Sequence, residues 1–168
     1  MGKRPLLVAA AALLLRQLAN GQEVEGAPDT MSAGSEHSCF VLTQGRLTCF
    51  GHAQLGRLGS GDGKEDLGDT PGELGEGLHT IDLGSGRSAK AVSAGLDHTC
   101  AITSSDDLVC FGRGAYGQLG FPLPDPTLCR PRSLNLGDHA CQMGEAIRLV
   151  DLGAGRKVKS HDQSHPAA

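Results

Sequence analysis

SAGSEHSCFVLTQGRLTCFGHAQLGRLG, residues 32–59, and SAGLDHTCAITSSDDLVCFGRGAYGQLG, residues 93–120, are one pattern written twice, aligned without a gap at an offset of 61. The pairs Ser32/Ser93, Gly34/Gly95, His37/His98, Cys39/Cys100, Cys49/Cys110, Phe50/Phe111, Gly51/Gly112, Gly56/Gly117 and Gly59/Gly120 are identical. Self-similarity at a fixed period marks a repeat architecture and is read before any single motif. The repeated glycines and histidines are the expected structural positions that define the repeat.

A second block follows each copy. LGDTPGELGEGLHTIDLGSGR (67–87) matches LGDHACQMGEAIRLVDLGAGR (136–156) at an offset of 69, so the second unit is eight residues longer. The extra length lies in the proline-rich stretch FPLPDPTLCRPRS, which reads as an extended loop. Within the second unit, Ala91–Ala94, Cys100–Thr103, Leu108–Phe111 and Ile147–Leu152 are short apolar runs separated by Gly, Ser and Asp. Short strands bounded by turn residues indicate an all-β chain. Glycine, 25 of 168 residues, is about twice its average usage and disfavours helix interiors. About four strands per period of some 60 residues fits one propeller blade. The expected fold is thus all-β, an incomplete β-propeller of about two four-stranded blades. Its expected division is a signal peptide (1–21), a short linker (22–30), a first repeat (31–90), a second repeat (91–156) with an insertion at 121–135, and a tail or aborted third repeat (157–168).

The signature SAG-x-x-H-[ST]-C, then C-F-G, then G-[QR]-L-G resembles the regulator-of-chromosome-condensation repeat, over roughly residues 31 to 156. The resemblance implies a seven-bladed propeller with a protein-binding surface and no single chemistry. The chain departs from the family in two ways. Phe50 and Phe111 stand where the family has Trp, and KVKSHDQSHPAA follows Gly155-Arg156 where a third unit would begin.

Cys39 and Cys49 flank the hairpin loop Thr43-Gln44-Gly45, and Cys100 and Cys110 flank Ser104-Ser105-Asp106. If Leu42 pairs with Arg46, Cys39 falls opposite Cys49, and directly opposed residues suit a disulfide. Cys129 and Cys141 lack counterparts in the first unit and form the third expected pair. The alternative is six free thiols in a reducing compartment. Read as zinc ligands, His37, Cys39 and Cys49, or His98, Cys100 and Cys110, give three ligands without close cysteine spacing. The expectation is therefore no metal, with each histidine bonded to backbone inside its own blade. Gly112-Arg113-Gly114-Ala115-Tyr116-Gly117 spells G-x-G-x-x-G, but QLGFPLPDP after it cannot form the helix that a dinucleotide site needs. The acidic loop from Gly61 to Asp69 lacks the alternating oxygens of a calcium loop. No cofactor and no catalytic residue are expected.

Lys3 and Arg4, the ten-residue apolar run Leu6 to Leu15, and Ala19-Asn20-Gly21 have the layout of a secretory signal peptide cut before Gln22; an organelle transit peptide is the alternative. Cleavage there shifts the formal charge from −4 to −7. An acidic chain without a basic stripe is poorly suited to nucleic acid or to anionic lipid. The function expected is secreted protein–protein binding, with residues 60–66 and 121–135 as contact loops. Guanine-nucleotide exchange on a small GTPase is the alternative by family analogy, and a metal-dependent enzyme is a second. Two blades leave two apolar flanks uncovered, so self-association or further repeats from a longer chain are also expected.

Overall fold

The computed structural model describes residues 30–63, 66–123 and 133–159; the leader, most of the linker, Cys129 and the last nine residues lie outside them. The chain forms two antiparallel sheets. The first takes β1 (Met31–Ala33), β2 (His37–Val41) and β3 (Leu47–Gly51) in sequence order. The second takes β4 (Ala89–Ala94), β5 (His98–Thr103), β6 (Leu108–Arg113) and β7 (Asn135–Leu136). Short 3₁₀ turns connect them, and no α-helix occurs among the described residues. The fold is the all-β, two-blade arrangement expected.

The fourth strand differs between the units. In the second sheet, β7 pairs with the end of β6. In the first, only Leu67 bridges to Gly51 in the equivalent place. Asp62 and Gly63, ahead of that bridge, are exposed, and Gly68-Asp69-Thr70-Pro71-Gly72 follows it with turn residues and a proline that cannot donate to a ladder. The return segment nevertheless docks alike in both units. The Ile81 amide donates to the Leu47 carbonyl, and the Val150 amide to the Leu108 carbonyl.

Registry follows from the hairpin loops. The Leu42 amide bonds the Arg46 carbonyl and the Thr103 amide the Asp107 carbonyl, which sets Cys39 opposite Cys49 and Cys100 opposite Cys110. Both sulfur pairs lie at bonding distance, 2.04 and 2.10 Å. The third expected pair involves Cys129, outside the described residues.

The two sheets pack face to face, so each strand's alternation assigns its residues to a flank. His37, Cys39 and Val41 of β2 are buried against the second sheet. Thr99, Ala101 and Thr103 of β5 are buried from the other side. Ser38 and Phe40 then face outward on the leading flank, and His98, Cys100 and Ile102 on the trailing flank. The core sits in the seam, where Phe111 is fully buried beside Gly59. A Cβ on Gly59 would fall 2.7 Å from the Phe111 ring, so the glycine makes room for the aromatic.

Gly59 and Gly120, a pair of repeat-defining glycines, share a turn and differ in what lies against it. The turn itself recurs: the Gly59 amide bonds the Gly56 carbonyl at 3.0 Å and the Gly120 amide the Gly117 carbonyl at 3.0 Å, with φ of 63° and 80°. The surroundings do not recur. Gly59 is buried in the seam, whereas Gly120 and Gly117 are exposed. A Cβ on Gly120 would meet the Val150 side chain of its own unit at 2.6 Å, and no aromatic of a following unit. The physical reason is that the aromatic beside Gly59 comes from the next sheet, and none follows the second one among the described residues.

The three-residue spacing of the SAG-x-x-H motif also has a steric cause. The Gly34 amide bonds the His37 carbonyl at 2.8 Å, and Gly95 bonds His98 likewise, closing a tight turn between strands. Each imidazole folds back over its own glycine, and a Cβ there would lie well inside van der Waals contact with the ring.

Candidate functional site

Histidine 37 corrects an expectation. Its ring does not bond backbone within its own blade: Nε2 lies 2.9 Å from the hydroxyl of Thr99 in the other sheet. That hydroxyl donates its one proton to the Arg57 carbonyl at 2.8 Å, so His37 must donate from Nε2–H. Nδ1 is left buried and without a partner. Burial, with the Arg57 charge adding to it, lowers the His37 pKa, and the ring is neutral. The reason lies in the alternation: position 37 faces the seam, where the Thr99 hydroxyl of the next unit lies within reach of its ring.

Arg57 completes this seam. Its guanidinium is buried, with Nη2 2.9 Å from Asp97 of the second unit and Nη1 3.2 Å from Glu36 of the first. Arg113 also reaches Asp97, at 3.4 Å. Arg57 and Asp97 went unremarked in the sequence; the signal was that Gln118 replaces arginine in the second copy of an otherwise repeated turn.

Beside the seam, a cleft of about 540 Å³ opens between the units, lined among others by His52, Leu55, Asp66, Asp69, Asp138 and His139. The turn after β3 supplies His52 to Leu55, and Leu55 holds a left-handed φ of 67° that a leucine rarely adopts. His52 Nδ1 lies 2.7 Å from Asp66 Oδ1, which also accepts the Ala53 amide at 2.9 Å. The Ala53 amide, then the His52 side chain, holds the Asp66 carboxyl below the usual range. The opposite wall is braced from within. Gln142 Oε1 accepts the Gly137 and His139 amides, as Glu73 Oε2 accepts the Gly68 and Thr70 amides at the matching positions of the first unit. Asp138 is thereby fixed at the rim. Its Oδ1 is buried without a hydrogen-bond partner, 4.0 Å from the His139 ring.

The loop 60–66 contributes Ser60, Gly63 and Asp66 to this cleft. From the other expected contact loop, residues 124–132 are outside the described residues. The segment just after it meets the first loop directly, through the Gly61 amide and Gly137 carbonyl at 2.9 Å. Among the described residues no group of three or more His, Cys, Asp or Glu side chains converges as metal ligands. The cleft's chemistry is that of carboxylates and imidazoles facing solvent, which suits recognition of cationic or hydrogen-bond-donating groups.

The sequence profile of the Regulator of chromosome condensation (RCC1) repeat matches residues 29–57 and 89–118. The chain is 33% identical over 123 residues to the ultraviolet-B receptor UVR8 of Arabidopsis thaliana, covering 73% of this chain and 24% of that protein. It is 31% identical over 127 residues to the probable E3 ubiquitin-protein ligase HERC6 of Homo sapiens, covering 76% of this chain and 11% of that protein. Among solved structures, Prp20p of Saccharomyces cerevisiae superposes with a TM-score of 0.54 at 17% identity, over 77% of this chain and 27% of that one. The chain therefore spans a quarter or less of the length of these two curated relatives.

Proposed function

Because the chain belongs to the regulator of chromosome condensation repeat family, we propose that it is a protein-binding scaffold whose partner docks at the His52–Asp66 cleft through a basic segment. The observation that carries this reading is the cleft itself. It lies where the repeat is least regular, and it presents Asp66, Asp69 and Asp138 with one buried carboxylate oxygen unsatisfied. An unpaired buried acceptor is costly, and a donor from a partner relieves that cost. Protein binding also accords with the solved yeast relative, described by its binding to Gsp1p and histones.

The test places a photo-cross-linking residue at Gln54, in the cleft, and separately at Ser85, away from it. A partner captured from Gln54 and lost in the Asp66→Asn/Asp138→Asn chain supports the proposal. Equal capture from both positions overturns it. A fluorescent-nucleotide release assay on a small GTPase separates the scaffold reading from exchange: accelerated release would replace the first with the second. The N-terminal layout supports a secretory location, for which N-terminal sequencing should return Gln22. An intact Met1 on cytosolic protein overturns the location without touching the cleft.

A further inference from the structure

The chain carries both halves of the joint that holds its own two units together, and among the described residues no further sheet covers the far side of either half. The trailing flank of the first sheet offers His37, Cys39 and Arg57, and the leading flank of the second answers with Thr99, Asp97 and Phe111. Sixty-one residues on, the second sheet's trailing flank repeats His98, Cys100 and Gln118; sixty-one back, the first sheet's leading flank repeats Ser38, Glu36 and Phe50. The His98 ring has no hydrogen-bond partner among the described residues, whereas the His37 ring has Thr99. A Cβ on Gly56 would collide with the Leu136 carbonyl and the Asp138 amide, whereas a Cβ on its copy Gly117 would meet nothing within 4 Å.

We propose that the trailing flank of one chain receives the leading flank of a second copy, head to tail, in the register of the internal seam. His98 donates to the Ser38 hydroxyl of the second copy, and the second copy's Leu67–Asp69 segment covers Gly117. The Ser93 hydroxyl accepts its Ala33 amide, as Ser32 accepts Ala94 at 2.9 Å within the chain. Gln118 meets Glu36 as an amide-to-carboxylate hydrogen bond where the seam has an ion pair. Phe40 stands where the seam has Ala101, and its ring stacks on Phe50 at 5.4 Å, so this joint opens wider than the internal one. A contact between unlike surfaces is heterologous and propagates until it closes into a ring or extends as a filament.

Sedimentation velocity and light scattering over a concentration series of the full chain test this. Wild type should form multimers, and Gln118→Arg, which copies Arg57, should tighten them by about fivefold, the upper range of an exposed ion pair. Glu36→Gln added to Gln118→Arg should abolish that gain. Ser38→Arg, outward-facing and outside the internal seam, should give monomer with an unchanged unfolding midpoint. A wild-type monomer at all concentrations overturns the proposal, as do multimers indifferent to both Ser38→Arg and Gln118→Arg, which would mean association through another surface or the leader. The cleft variants leave this assay unchanged, so its outcome is independent of the partner-binding result.

Discussion

The same repeat occurs twice in this molecule, once with its leading flank covered by another sheet and once, among the described residues, without one. Val92 is 6% exposed in the second unit and its counterpart Met31 is 63% exposed in the first. Thr99, Ala101 and Phe111 are buried, whereas Ser38, Phe40 and Phe50 are only partly so. Backbone course, hairpin registry and strand pairing are the same at these positions. The burial of a repeat residue is thus decided by the neighbouring unit, and identical residues carry different energetic weight in the two copies.

The comparison breaks most readily at the aromatic pair. Phe111→Ala should lower stability by about 3–5 kcal/mol, since the ring is fully enclosed. Phe50→Ala, the same change on the open flank, should cost less than about 1.5 kcal/mol. Chemical denaturation of both reads the difference, and equal losses would mean that Phe50 is covered in solution. Next comes the arginine. Arg57→Met removes a buried partner of Asp97, and Arg113 compensates in part, so a loss of about 2 kcal/mol is expected against under about 0.5 for Gln118→Met.

The cysteine pairs sharpen the contrast further. Cys39→Ala/Cys49→Ala should cost about 2 kcal/mol, low for a disulfide because the closed loop is short, with loss of packing against Thr99 added. Cys100→Ala/Cys110→Ala should cost less, since Cys100 lies on the uncovered face. Then the hydroxyls: Thr99→Val strands the buried His37 Nε2–H and should cost about 1–2 kcal/mol, while Ser38→Ala should stay within about 0.5.

The smallest expected effect is titration. The folded pKa of His37 is lowered, so below the unfolded value of 6.5 the unfolded chain binds more protons than the native one. Its contribution is fully present above that pH and is lost as pH falls towards the folded pKa. Arg57 and His98 oppose charging of the ring and Asp97 favours it. Denaturation midpoints at pH 7 and pH 5 should differ less in His37→Gln than in wild type, and an identical pH dependence would show that another group governs this window. The carboxylates Asp66 and Glu145, also lowered, act only further down, as pH falls from the ordinary carboxylate range towards their folded values.

The strands and their registry were legible because repetition removes accidents: a glycine, histidine or cysteine that recurs at one offset reports a backbone demand. What repetition could not show was direction. Whether His37 looks within its blade or across the seam depends on which face the next sheet covers, and no local pattern carries that. Gly59 and Gly120 make the same point, for they share a turn and differ in what lies against it. The cleft was half legible. Its loop, 60–66, stood out by irregularity, but Asp138 and Gln142 were hidden in the more regular block, where their role depends on a loop meeting another some seventy residues away. The first sheet's missing fourth strand was written in Gly68 to Gly72, where turn residues outweigh a single Leu67 bridge.

Cys39 is completely enclosed by the seam, and Cys100 is not. An attacking thiolate must reach a sulfur in line with the bond it breaks, so the two hairpins present different targets to a reductant. In a single chain the trailing pair, with Cys100 partly exposed, is the more open of the two to small thiols. The seam pair becomes reachable only when the sheets part. Graded exposure to reductant will therefore strip the molecule in a fixed sequence, trailing hairpin first, and the rate at which the second pair follows measures how often the two sheets separate.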